Sequence, residues 1–149
     1  MRLSYLKFNS YLLAFLSLIG FNKVFSNDLF NTDSILPLNE AFQISHYLEE
    51  NQLIISWKIA PNYYLYKKAF NIVQNHQEIN YLLTGKIDNI DDIYFGKVRI
   101  YRDKVFLKVL LKDLKSLDVD MISVEYQGCA EKKYCYPMAS TIINVAKIH

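Results

Sequence analysis

Apolar residues recur at every second position in several short runs, and polar or turn-forming residues separate these runs at intervals near ten. In "LIISWKI" (Leu53 to Ile59), Leu53, Ile55, Trp57 and Ile59 fall on one face, with Ile54, Ser56 and Lys58 on the other. "VFLKVLL" (Val105 to Leu111) groups Val105, Leu107, Val109 and Leu111 in the same way. The pattern predicts further strands at "DMISVEY" (Asp120 to Tyr126), "TIINVA" (Thr141 to Ala146), "FQISHYL" (Phe42 to Leu48), "YYLY" (Tyr63 to Tyr66) and "INYLL" (Ile79 to Leu83). Turn chemistry sits between them at "EENQ", "APN", "YRDK" and "KDLKSLD". No run of ten or more residues offers a convincing amphipathic helix. Seven or more short strands within about 110 residues predict an all-β chain, a two-sheet antiparallel β-sandwich of immunoglobulin-like type.

The first 26 residues break this pattern. "MRLSYLKFNS" carries Arg2 and Lys7 and no acid, "YLLAFLSLIGF" (Tyr11 to Phe21) is apolar, and Val24 and Ser26 stand at the small-residue positions before a cut ahead of Asn27. This is the form of a cleaved export signal over residues 1–26. As a membrane anchor it is short, because the uncharged run between Lys7 and Lys23 is 15 residues and a spanning helix needs about 20. The expected mature chain is one domain, 27–149, opening on a loose arm over 27–38. Removing the signal takes away three basic residues and no acid, leaving 14 Lys and Arg against 15 Asp and Glu. The formal charge of +2 thus belongs to the signal. A near-neutral mature domain argues against a nucleic-acid partner.

Residue types exclude several chemistries. Gly20, Gly85, Gly96 and Gly128 are isolated, so no phosphate-cradling loop is present. His46, His76 and His149 stand far apart with no ligand-spaced Cys or carboxylate, so no metal site is expected. Ser140 has no nucleophile-elbow context. What remains is the pair Cys129 and Cys135 in "GCAEKKYCYP", the only cysteines of the chain.

"SVEYQGC" enters that segment as a strand and "CYPMASTIINV" leaves toward another, which sets the two cysteines opposite one another across a hairpin with loop "AEKKY". Opposed residues on antiparallel strands lie at a separation a disulfide accepts. So short a loop gains little from closure, roughly 2.4 kcal/mol in the chain-entropy model. Lys132 and Lys133 place positive charge beside the sulfurs and favour a thiolate. Tyr134, Tyr136 and Pro137 offer an apolar collar. An exported protein with one Cys pair nevertheless commonly uses it as a staple, so spacing alone leaves both roles open.

"EYQGCAEKKYCYPM" resembles the redox segment of the N-terminal periplasmic domain of the thiol:disulfide interchange protein DsbD. "LNEAFQIS", "LIISWKIAPNYYLYKK" with Trp57, Tyr63, Tyr64 and Tyr66, and "DDIYFGKVRIYRD" agree with that family in order and spacing, from about Leu36 to Ala146. The resemblance implies a periplasmic dithiol shuttle of immunoglobulin-like fold. Its only redox group would be the Cys129–Cys135 disulfide, with no further cofactor. Electrons would arrive from a thioredoxin-like domain fed by a membrane electron transporter and pass to a periplasmic disulfide isomerase or a cytochrome c maturation thioredoxin. It further implies that Cys135 attacks and Cys129 resolves. "DDIYFGK" matches the family's cap loop, with Tyr94 at the capping aromatic, Phe95 beside it, Asp92 as the acid held near the sulfurs and Gly96 as a hinge of a mobile lid. Tyr64, Tyr66, Tyr134 and Tyr136 would support the site.

The chain departs from the family in Ile93, where an acid is usual, in the order Tyr94-Phe95, and in Met138 for a second proline. The family's transporter and thioredoxin-like domain have no counterpart in these 149 residues, so the donor is expected to be a separate molecule. The competing expectation is a secreted sandwich that binds or assists other proteins and carries an inert disulfide.

Overall fold

A computed structural model describes residues 34–114 and 121–147. The export signal over 1–26, the first part of the arm, Asp120 and most of the "KDLKSLD" turn lie outside these residues. One helical turn, α1 (Leu38–Ala41), leads into β1 (Phe42–Glu49), β2 (Gln52–Ile59) and β3 (Tyr63–Tyr66). Then come β4 (Asn71–Gln74), β5 (Gln77–Glu78), β6 (Leu82–Asp92) and β7 (Gly96–Leu110). The chain finishes with β8 (Met121–Tyr126), β9 (Gly128–Ala130), β10 (Tyr134–Cys135) and β11 (Ala139–Asn144). Among the described residues no helix is long and apolar enough to cross a membrane.

All strand pairs are antiparallel. They form the expected immunoglobulin-like sandwich. The larger sheet runs β1-β2-β7-β3-β9-β10 with β6 also on β7, and the smaller runs β11-β8-β4-β5. β7 organises the larger sheet. Its second half pairs with β2, from Lys58↔Lys104 to Gln52↔Leu110, and its first half pairs with β3 at Leu65↔Tyr101 and Tyr66↔Ile100. β2 and β3 therefore follow one another along one edge of β7, and β6 covers the other. The core lies between the sheets, where Leu53, Ile55 and Trp57 of β2 meet Ile72, Ile122, Val124 and Ile143 of the smaller sheet. Removing this much apolar surface from water is the main stabilising term of the fold.

Four sequence expectations are corrected. "YRDK" is not a turn but the middle of β7, where Asp103 takes φ +58° and lets the strand continue past an irregular register opposite Gly85 and Ile87. β6 begins at Leu82 rather than Ile79, and "TIINVA" leaves the sheet after Asn144 in a 3-10 turn, Val145–Lys147. Ile54 and Ser56, on the face of β2 opposite Leu53, Ile55 and Trp57, are buried as well, with the Ser56 hydroxyl 2.8 Å from that of Ser45. The described end of the arm is not loose. The Leu36 N–H donates to the Tyr63 hydroxyl at 2.8 Å, the Tyr136 hydroxyl donates to the Leu36 carbonyl at 2.5 Å, and Leu36 and Leu38 pack on the core.

Candidate functional site

Cys129 and Cys135 are cross-strand partners in the β9–β10 hairpin, joined as a disulfide with Cα atoms 4.0 Å apart. The turn is Glu131–Lys133, tighter than the loop read from sequence, with Lys132 at φ +58°. β9 also pairs with β3, placing Tyr63 opposite Ala130, Tyr64 opposite Cys129 and Leu65 opposite Gly128. Side chains on a strand alternate between faces, so Tyr63 and Leu65 enter the main core. Tyr64 and Tyr66 point the other way and cluster with Ile100 and Cys129. The two-residue period of "YYLY" is thus what delivers two hydroxyls to the sulfur side of the sheet.

Those hydroxyls meet one carboxylate. Asp92 is 6 % exposed, and its Oδ2 accepts from the Tyr64 hydroxyl at 2.5 Å and the Tyr66 hydroxyl at 2.8 Å. Its Oδ1 accepts the backbone N–H groups of Tyr94 (2.8 Å) and Phe95 (3.0 Å). The Tyr66 hydroxyl oxygen also lies 3.1 Å from Cys129 Sγ and 3.6 Å from Cys135 Sγ. A disulfide sulfur carries no hydrogen and the Tyr66 proton goes to Asp92, so in the oxidised state these two are contacts of oxygen with sulfur. On reduction a thiol gains a proton to donate to the same oxygen.

Burial works to raise the Asp92 pKa, but the bonds from Tyr64, the Tyr94 N–H, Tyr66 and the Phe95 N–H outweigh it and hold the carboxyl below its ordinary value. Burial, reinforced by Asp92, pushes Tyr64 up to about 12. Tyr66 is raised as well, by burial first and then by its bonds with Tyr64 and Asp92. At neutral pH the network is one anion held by neutral donors. A carboxyl depressed in the fold contributes stability that is present above its unfolded pKa and lost as pH falls through its folded value. Wild type is therefore expected to lose more stability than Asp92→Asn on acidification below the ordinary value of 3.8. Urea midpoints taken across that range test this, and parallel curves for the two proteins would refute it.

The cap differs from the sequence expectation. Asn89 to Asp92 are not loop but the end of β6, and only Ile93, Tyr94 and Phe95 connect to β7 in a hairpin turn. Gly96 takes φ +67° at the close of that turn, a conformation glycine adopts without steric cost. Phe95, not Tyr94, brings a ring to the network: it stands edge-on to Tyr66 with centroids 5.3 Å apart. Tyr94 contributes its N–H while its side chain is 58 % exposed. Tyr134 is exposed, and Tyr136 belongs to the main core, edge-on to Phe42 at 5.5 Å, rather than to a collar around the sulfurs.

Two residues escaped the sequence reading. Arg102 donates to both carboxylate oxygens of Glu131, at 3.2 and 3.0 Å, and its guanidinium lies 5.6 Å from the Tyr64 ring centroid. Glu131 sits in the turn joining the two cysteine strands. The two-pronged pair therefore ties that turn to the ring that binds Asp92. No spacing signal points to it, since the partners are 29 residues apart and Arg102 lay in the segment read as a turn.

Comparison with known proteins agrees with this geometry. A family model described as "Thiol:disulfide interchange protein DsbD, N-terminal" matches residues 32–147. The thiol:disulfide interchange protein DsbD of Colwellia psychrerythraea is 37% identical over 127 residues, covering 85% of this chain and 20% of that protein. The DsbD of Yersinia enterocolitica is 32% identical over 133 residues, covering 89% and 22% respectively. The chain thus spans about a fifth of the length of the curated relatives it matches. Among solved structures, the N-terminal domain of Neisseria meningitidis DsbD in the reduced form has the same fold, with a TM-score of 0.62 at 21% identity over 74% of this chain and 88% of that one. The N. meningitidis complex of the DsbD and PilB N-terminal domains matches with a TM-score of 0.56 at 20% identity, over 76% and 88%.

Proposed function

Because the chain belongs to the family of DsbD N-terminal domains, we propose that Cys129 and Cys135 form a redox-active pair that exchanges two electrons with thioredoxin-fold proteins outside the cytoplasm. The reduced pair begins with Cys135 as thiolate. It attacks a partner disulfide, the partner's sulfur–sulfur bond breaks, and one partner thiolate leaves. Cys129, as thiolate, then attacks Cys135 Sγ, closes the Cys129–Cys135 bond and releases the second partner thiolate. Two electrons have moved to the partner, and the reverse sequence with a reduced donor restores the dithiol. The burial of the two cysteines favours this order, since Cys129 is 1 % exposed while Cys135 is only partly buried.

The observation that carries the reading is the Tyr66 hydroxyl, in contact with both sulfurs and bonded to a buried, ionised carboxylate. A plain staple gains nothing from an anion beside it, and burying one is costly. For a dithiol the anion has a use, because nearby negative charge disfavours a thiolate and slows its reaction with unselected oxidants. Phe95 over Tyr66 adds a ring that a partner must displace. The relatives' name supports thiol:disulfide interchange, and the complex with a PilB domain supports a protein as partner. In this reading the donor is a thioredoxin-like domain or membrane electron transporter. The acceptors are a disulfide isomerase or a cytochrome c maturation thioredoxin, and the compartment is the periplasm.

Equilibration against dithiothreitol or glutathione buffers, followed by alkylation of free thiols, measures the reduction potential. The expected value is more oxidising than about −300 mV, and a lower one marks an inert structural disulfide.

A further inference from the structure

We infer that Arg102 is a positioning residue for the cysteine pair. By holding the turn between β9 and β10 it keeps Cys129 opposite Cys135 while no bond joins the two sulfurs, and so favours closure of the disulfide. The inference rests on the redox reading of the pair. Arg102 lies two positions after Ile100 on β7, so its side chain leaves the sheet on the face that carries Ile100, Tyr64, Tyr66 and Cys129. There the guanidinium reaches across β3, 5.6 Å from the centre of the Tyr64 ring, and ends on Glu131 with hydrogen bonds of 3.2 and 3.0 Å. A planar fork against a carboxylate fixes direction as well as distance. The Asp88 carboxylate of β6, 3.7 Å from Arg102 Nε, steadies the guanidinium from the other side.

The hold matters because the strand it serves has little else to fix it. β10 is two residues long and, among the described residues, pairs with β9 alone. The turn meets the rest of the sheet at Glu131, whose N–H donates to the Asn62 carbonyl at 2.8 Å and whose carboxylate takes the Arg102 fork. Arg102 and Glu131 are 27 % and 36 % exposed, so their pair adds little to overall stability. Its effect falls on the open forms. In the closed form the covalent bond sets the register of the two cysteines. In the mixed disulfide the Cys129 thiolate must attack Cys135 Sγ, forming one sulfur–sulfur bond as the partner's thiolate leaves. How far that step runs to completion follows the effective concentration of one sulfur at the other, which a fixed turn raises and a loose one lowers.

The test equilibrates the full chain with mixtures of reduced and oxidised glutathione, quenches with acid, and measures the dithiol, the mixed disulfide with glutathione and the closed disulfide by mass. Arg102→Met is expected to lower the equilibrium constant for closure about fivefold, a potential about 20 mV more oxidising at about 30 mV for each tenfold. The ratio of mixed to closed disulfide should rise by the same factor. Glu131→Ala should shift both quantities in the same direction, and combining the two substitutions should add nothing further. Agreement in sign separates a clamp from a field, because removing a cation and removing an anion move a charge-controlled equilibrium in opposite directions. Arg102→Lys, with the charge but not the fork, should recover less than half of the loss. Asp88→Asn, which leaves Glu131 held, should shift closure by under about twofold. Opposite or additive shifts for Arg102→Met and Glu131→Ala, full recovery by Arg102→Lys, or urea midpoints that fall while the glutathione equilibrium stays in place would overturn the inference. The potential of the wild type decides the redox reading, and the differences between variants decide this one.

Discussion

Cys129→Ala, mixed after reduction with an oxidised thioredoxin-fold protein, is expected to accumulate as a covalent complex through Cys135, at least about tenfold above the level reached by Cys135→Ala. The asymmetry follows from where the two sulfurs sit. Cys135 lies on β10, whose pairing in the larger sheet is with β9, and is the more accessible of the two; Cys129 lies on β9 between β3 and β10 and is 1 % exposed. A partner disulfide reaches the first before the second. Once it is attached, only a thiol in register with Cys135 can release it, and the 4.0 Å Cα separation places Cys129 there. Cys135→Ala leaves a buried thiol behind the Tyr66 hydroxyl, poorly placed to start. Equal trapping by both variants, seen on a non-reducing gel, would remove the assigned roles, and trapping by Cys135→Ala alone would reverse them. The doubly substituted chain should stay folded, because closing so short a loop contributes about 2.4 kcal/mol at most.

A second large effect is expected from one methyl group. Gly128→Ala should destabilise the protein by about 3 kcal/mol or more. A Cβ at this buried position would lie 2.4 Å from the Tyr64 carbonyl oxygen, 2.6 Å from Phe42 Cζ and 2.7 Å from Leu65 Cδ2. The two side-chain ends can yield, but the carbonyl belongs to β3, which is hydrogen-bonded to β7 and β9 together. Relief requires β9 to move off β3, and that carries Cys129 away from Tyr66. Chemical denaturation measures the loss. A change below about 1 kcal/mol would mean that the β3–β9 approach is softer than described.

The strands that sequence reveals best are those with one face in the core. The second half of β7 and β8 alternate because solvent or polar neighbours occupy one side, and β2 alternates in residue type through Ser56 and Lys58 although Ile54 and Ser56 are themselves buried. β6 after Leu83, "TGKIDNIDD", holds few apolar residues and reads as loop, yet it is strand because β7 pairs with it on both sides of the irregular register at Gly85 and Ile87; pairing overrides propensity there. The same override hid the cap, whose acids and asparagine look turn-like although the turn proper is three residues. The cysteine hairpin was legible from flanking strands and spacing. Asp92 was visible only through family resemblance, since its tyrosine partners are 26 and 28 residues distant and nothing local marks an acid as buried. Met138, noted as a departure in place of proline, turns out to line a cleft beside the site. Arg102 and Glu131 left no trace because their meeting depends on the course of β7 past Asp103.

β3 has both faces occupied. Tyr63 and Leu65 fill the sandwich while Tyr64 and Tyr66 hold Asp92, and all four are buried. β1, by contrast, ends in a run of exposed positions after Ile44. Tolerance to substitution is therefore expected to differ along the chain. β1 can change residue by residue, whereas β3 offers no neutral position, and inserting or deleting one residue there would exchange the two faces. The tyrosines would then enter the core and the aliphatic side would meet the sulfurs. The packing of the sandwich and the hydrogen bonds to Asp92 thus depend on the same four residues, so a change at Asp92 is expected to be tolerated more readily than one in "YYLY".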